Sequence, residues 1–147
     1  MKVLASGVFD LLHYGHIRFL EDAKQAGEPN PQLIVIVARD ETVRRLKGSD
    51  PVIPEDQRRA VIEALKVVDE ALLGFEDLDL DRVIQQVEPD IVAIGHDQEN
   101  IENHLKKLKK AKELDFQIVR IGRFGAQDLN SSSKIKRRIV EGAQTRA

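Results

Sequence analysis

Apolar residues follow two alternating rhythms along this chain. Val3-Leu4-Ala5, Leu33-Ile34-Val35-Ile36-Val37 and Ile91-Val92-Ala93-Ile94 are short runs with almost no polar interruption. Between them, residues such as Ile17, Phe19, Leu20 and Ala23 recur at the spacing of a helix with one apolar face. The first rhythm predicts buried strands at 3–8, 33–37 and 91–94, with a weaker strand at 70–73 and a last one at 116–121. The second predicts helices at 16–26, 41–46, 79–87 and 100–114, and one starting in the Asn130-Ser131-Ser132-Ser133 cluster. A further helix opens at Pro54 or Glu55, with Glu55 and Asp56 complementing its dipole and Ala60, Val61, Ala64, Leu65 and Val68 as its inner face. Strands this apolar must be buried on both faces, which calls for a parallel sheet covered by helices on each side. The expected architecture is a doubly wound α/β fold in a single domain spanning 1–147.

In such a fold the ligand lies beyond the carboxyl ends of the strands, where the strand order reverses. Those tails carry Gly7 to Asp10, Arg39 and Asp40, Gly95 to Gln98, and Gly122 to Gly125. The segment Lys47-Gly48-Ser49-Asp50-Pro51-Val52-Ile53-Pro54 reads as a loop from its glycine and prolines.

Composition narrows the function. With 147 residues the chain buries about 70% of its unfolded surface. Charged residues make up 33% yet leave a net charge of −2, so no global field favours nucleic acid or an acidic membrane, and anion binding must be local. The lysine-rich stretch Lys106-Lys107 with Lys109-Lys110 reads as a solvated helix face. The sequence has no cysteine, which removes disulfides and thiol chemistry. It also shows neither a signal peptide nor a run long enough to span a bilayer, and the expected location is the cytoplasm.

The candidate chemistry concentrates in Gly7-Val8-Phe9-Asp10-Leu11-Leu12-His13-Tyr14-Gly15-His16. Gly7 permits a tight exit from the first strand, and His13 and His16 then sit at a helix start, three residues apart on one side. Unpaired N–H groups of a first turn attract anions, the imidazoles add donors, and Gly15 leaves room for a ligand to approach the backbone. Two histidines at this separation are also half of a metal site, but His96 and His104 have no matching spacing and thiolates are absent, so no metal ligand set is assigned. Lys47 could swing an ammonium over bound phosphate or be an ordinary surface lysine. Arg58 is an anion contact or a partner of Glu55 or Glu63. Ser131, Ser132 and Ser133 cap the last helix or line a second phosphate seat. Arg123, between glycines, presents a fork of donors, and Asp97 with Gln98 reads a nucleoside, holds a metal-bound water or is plain loop polarity.

The ten-residue segment with His13-Tyr14-Gly15-His16 resembles the H-x-G-H signature of nucleotidyltransferases related to cytidylyltransferases. Ile34 to Val43, Lys47-Gly48, Ile53 to Arg59 and Ala64 to Asp69 extend the likeness toward the archaeal FAD synthetases, which are FMN adenylyltransferases. The resemblance implies a Rossmann-like fold and transfer of AMP from ATP to FMN, without a covalent intermediate and with Mg²⁺ or another divalent cation bound mainly through phosphates. The family roles fall on His13, His16 and Lys47 as catalytic groups. Gly7, Val8, Phe9, Asp10, Gly15, Arg58, Gly95, Asp97, Arg123, Ser131 and Ser132 would bind nucleotide. The family's last motif, R-T-x-G-x-S-[ST], is stretched here, with Phe124 to Asn130 between Arg123 and Ser131. Transfer of CMP from CTP to a phosphorylated alcohol such as glycerol 3-phosphate is the alternative within the class, and a nucleotide-sensing module the alternative outside it. A receiver domain is disfavoured, since Ser6-Gly7 and Gly122-Arg123 stand where it needs an acidic cluster and a lysine. Related enzymes are often dimers, so a homodimer is an open expectation, although no apolar stripe is surplus to the core.

Overall fold

A computed structural model describes residues 1–75, 79–122 and 132–146. Among the described residues five strands, β1 (Lys2–Gly7), β2 (Gln32–Val37), β3 (Glu70–Leu73), β4 (Ile91–Gly95) and β5 (Gln117–Ile121), form one sheet in the order β3-β2-β1-β4-β5. Every pairing is parallel. The helices are α1 (Tyr14–Gln25), α2 (Asp40–Lys47), α3 (Glu55–Glu63), α4 (Leu80–Val87), α5 (Glu99–Ala111) and α6 (Ser132–Arg146). The chain steps outward from β1 through β2 to β3, then returns to the other side of β1 for β4 and β5. The order therefore reverses between β1 and β4.

The period of two along each strand sends alternate residues into two separate cores. Val3, Ala5, Val35 and Val37 face Leu20 and Ala23 of α1 and Ile62 of α3. Leu4, Ile34, Ile36, Val92 and Ile94 face Val83, Ile84 and Val87 of α4 and Leu105 and Leu108 of α5. The expected doubly wound sheet is therefore what forms, and β2 is apolar throughout Leu33 to Val37 because both its faces are covered.

Two expectations need correction. The inner face of α3 is not Ala60, Val61 and Ala64, which are exposed; it is Arg58 and Ile62, continued by half-buried Leu65 and buried Val68. A shift of one residue rotates a helical face by about 100°, and an arginine that turns inward set the true phase. Helix α5 ends at Ala111 rather than 114, the chain leaving it through Glu113 in a left-handed conformation at φ 52°.

Candidate functional site

A cleft of about 400 Å³ opens above the carboxyl ends of β1 and β4, at the point where the strand order reverses. Its floor is Ser6 to Asp10 on the tail of β1; one wall is His13, Gly15, His16 and Phe19 of the α1 region. Gly95 to Gln98 after β4, with Ile121 and Gly122 after β5, make the opposite wall. Lys47 at the end of α2 and Ser133 in the first turn of α6 reach the mouth.

The local chain is bent hard to build this floor. Phe9 and Leu11 both adopt left-handed backbone at φ 54° and 50°, which costs of order 1–3 kcal/mol for non-glycine residues and is typical of functional segments. The bend lays the Phe9 ring over Gly7: a Cβ there would stand 2.9 Å from the ring carbons, so a side chain at position 7 would evict it. The same ring meets His16 edge to face at 5.5 Å.

The two imidazoles form a stacked pair, 3.8 Å between centroids and 24° between planes. His16 Nδ1 accepts the backbone N–H of His13 at 3.2 Å. Neutral His16 therefore carries its proton on Nε2, making that atom a donor. Burial, then the charges of His13 and Lys47, push His16 down to about 4, against the pull of Asp10, and burial also lowers His13. Both rings are thus neutral donors near pH 7. His13 Nδ1 is buried with no hydrogen-bond partner among the described residues.

Lys47 is placed by the stop of α2. Gly48 takes φ 76° and returns its N–H to Arg44 O at 2.9 Å, ending the helix as the lysine reaches the cleft. On the far wall, Gln98 Oε1 accepts the Gly95 N–H at 2.7 Å, tightening the turn after β4. The Asp97 carboxylate folds against Gly95, where a Cβ would come within 3.1 Å of Oδ1.

Of the residues proposed from sequence, Gly7, Val8, Phe9, Asp10, His13, Gly15, His16, Lys47, Gly95 and Asp97 converge on the cleft. Arg58 does not. It is 1% exposed beneath the floor, and its guanidinium donates to Ile53 O, Val8 O, Ala38 O and Asp40 Oδ1 at 2.6–2.8 Å. Nor does it pair with Glu55, which binds Arg39 at 3.1 Å. Arg58 ties the tails of β1 and β2 to the start of α3. Arg123 and Ser131 lie outside the described residues; Ser132 opens α6 without a described side chain, and its neighbour Ser133 is the serine at the cleft. Phe19, whose spacing marks it for the helix core, and His96, which lies in the β4 tail but has no metal-ligand spacing, also line the cleft. The signal for His96 was its place directly after β4.

A parallel sheet whose switch point carries neutral imidazole donors, a lysine and glycines on both walls of the cleft has the form of a nucleotide-binding α/β protein. The cytidylyltransferase-like family profile matches residues 4–138, and the chain belongs to that family and is a nucleotidyltransferase. Similar proteins named FAD synthase include that of Archaeoglobus fulgidus, 46% identical over 94% of this chain and 96% of its own length. That of Methanopyrus kandleri is 43% identical over 95% and 92%. A solved structure called a lipopolysaccharide core biosynthesis protein, from Thermoplasma volcanium, superposes with a TM-score of 0.77 at 41% identity, covering 85% of this chain and 98% of that one. The fold extends to a pantoate-beta-alanine ligase of Francisella tularensis, with a TM-score of 0.64 at 16% identity over 92% of this chain and 64% of that one. Among the described residues no helix is long and apolar enough to cross a membrane.

Proposed function

We propose that this chain transfers AMP from ATP to FMN, giving FAD and pyrophosphate. The carrying observation is the pair of neutral imidazoles at the start of α1, set over the tail of β1 at the switch point. The near-full-length likeness to proteins named FAD synthase supports ATP and FMN over CTP and a phospho-alcohol.

In this reading a phosphate oxygen of FMN attacks the α-phosphorus of ATP in line. The bond from that phosphorus to the bridging oxygen breaks, and pyrophosphate leaves. The protein positions and neutralises, and forms no covalent bond. His16 donates from Nε2 to the α-phosphate as its charge develops, and His13, stacked on it, adds a second donor. Lys47 bridges the incoming phosphate and the nucleotide. Gly95 and Asp97 contact the nucleoside, and the start of α6 with Ser131 and Ser132, joined by Arg123, holds the departing pyrophosphate.

Magnesium would arrive on the triphosphate and neutralise its oxygens. The residues present suit that arrangement: Asp97 stands exposed at the cleft wall, while Asp10 turns its oxygens to backbone amides. The proposed setting is the cytoplasm. A homodimer is included because Ile139 and Val140 of α6 are 62% and 55% exposed; light scattering would report its mass.

The test incubates the protein with Mg²⁺, ATP and FMN, and separately with Mg²⁺, CTP and glycerol 3-phosphate. FAD appearing as quenched flavin fluorescence, with pyrophosphate in equal amount, is the expected result. CDP-glycerol without FAD would overturn the choice of substrates, and ATP binding without pyrophosphate release under either acceptor would overturn the enzyme.

A further inference from the structure

We propose that Asp10 is a positioning residue that acts through Lys47: with Lys136 as its partner on α6, it fixes the loop behind that lysine against the opposite lip of the cleft. The inference rests on the transferase reading above.

A carboxylate on the floor of a cleft for a polyanion is at first sight misplaced, because it would repel the ligand. Its contacts supply another role. Asp10 is 4% exposed; its Oδ2 accepts the Val52 N–H at 2.8 Å and its Oδ1 the Ile53 N–H at 2.9 Å. Lys136 Nζ stands 3.7 Å from Oδ2. One side chain thus holds three pieces of chain: the tail of β1, the far end of the loop that starts at Lys47, and the first turns of α6.

The loop is held firmly at that far end. The Ile53 N–H is bound by Asp10, and the Ile53 carbonyl accepts Arg58 Nε at 2.7 Å. At the near end Gly48, with its positive φ, is the natural pivot for Lys47. On α6, Lys136 follows cleft-lining Ser133 by three residues, about one turn. The stop of α2 sets the Lys47 backbone, and Asp10, by anchoring the far end of the loop that leaves it, limits how far the Lys47 ammonium swings from the start of α6, the two groups that serve opposite sides of the transferring phosphorus. Asparagine cannot replace it, because its amide would point a donor at one of the two backbone donors.

The test is a kinetic cycle. Asp10→Asn and Lys136→Met are each made in the wild type and in Lys47→Met, and the turnover number is measured with whichever substrate pair the wild type converts. Asp10→Asn is expected to lower kcat by about tenfold or more and Lys136→Met by about threefold, with the Kd for α,β-methylene ATP moved less than about threefold. In the Lys47→Met background each should change kcat by less than about twofold, because groups acting through one another are not additive. Independently of turnover, hydrogen exchange at the Val52 and Ile53 amides should speed up in Asp10→Asn, and at the hydrogen-bonded amides of Lys136 to Val140 in α6 in Lys136→Met. Equal factors in both backgrounds, or unchanged exchange, overturn the proposal. If Asp10→Asn does not fold, Lys136→Met, at a half-exposed position, carries the cycle. Failure to make FAD with success on CTP and glycerol 3-phosphate strikes the FMN reading alone, since the cycle then runs on that pair.

Discussion

At the scale of single residues, His16 is the group on which chemistry and stability meet. Its Nε2 is the donor that the proposed reaction needs, so His16→Ala is expected to cut kcat for FAD formation about a hundredfold, the usual cost of losing such a donor, with an unchanged circular dichroism spectrum. Turnover near the wild-type level would remove His16 from the chemistry. The same burial leaves a mark on acid stability. The folded chain holds His16 down at about 4, whereas in the unfolded chain it returns to its ordinary 6.5. Above pH 6.5 both states leave the ring neutral and its contribution is whole. As the pH falls from 6.5 toward 4, the unfolded state takes up a proton that the folded state resists, and stability is lost. A His16→Asn variant should lose less than the wild type between pH 7 and 4.5, by on the order of 1–2 kcal/mol after allowing for the ring's partial exposure. Denaturant titrations at the two pH values read that difference, and parallel curves would contradict the burial of the ring.

At the scale of elements, α3 shows what a linear sequence reveals and what it hides. Its start was legible, because Pro54, Glu55 and Asp56 are local signals of a helix N-terminus. Its inner face was not, because the decisive contacts of Arg58 lie with Val8 and Ala38, far away in the chain, and no local pattern announces a buried guanidinium. The placement changes what a mutation tests. Were Arg58 a phosphate ligand, its loss would slow turnover and spare stability. As a buried tie it should do the reverse first: Arg58→Met leaves Asp40 without its 2.6 Å partner and three carbonyls without a donor. Breaking such a network costs about 3–5 kcal/mol. Urea unfolding of the purified variant measures this, and a midpoint equal to the wild type's would return Arg58 to the list of ligand contacts. The cleft divides in the same way. The stretch from Gly7 to His16 was legible because its residues are contiguous and open a helix. Phe19 joins it only through the packing of α1, which spacing along the chain does not encode, whereas His96 stands in the β4 tail that the strand pattern already marked.

At the scale of the whole molecule, the sheet is a partition. Apolar strand positions predicted burial on both sides, but only the register shows which residues share a side: Ile62 of α3 belongs with Val35 and Ala71, and Leu105 of α5 with Ile34 and Val92. Both are fully buried at 0% exposure, so truncation to alanine should cost about 2–5 kcal/mol at each, the transfer term plus the cavity left behind. The backbone of the sheet stands between them, they belong to different apolar clusters, and neither cavity can be filled by relaxation of the other layer. Their costs should therefore add, within about 0.5 kcal/mol, in the double variant Ile62→Ala, Leu105→Ala. Additivity has a kinetic counterpart. The cleft lies along the top edge of this partition, and its floor, Gly7 to Asp10, continues β1, the strand whose Val3 and Ala5 face one layer and whose Leu4 faces the other. Loosening either layer should reach the floor through β1 and raise KM for ATP alongside the loss of stability. Equilibrium unfolding of the two single variants and the double supplies the first test, and a coupling energy above about 1 kcal/mol would mean that the layers communicate through the sheet.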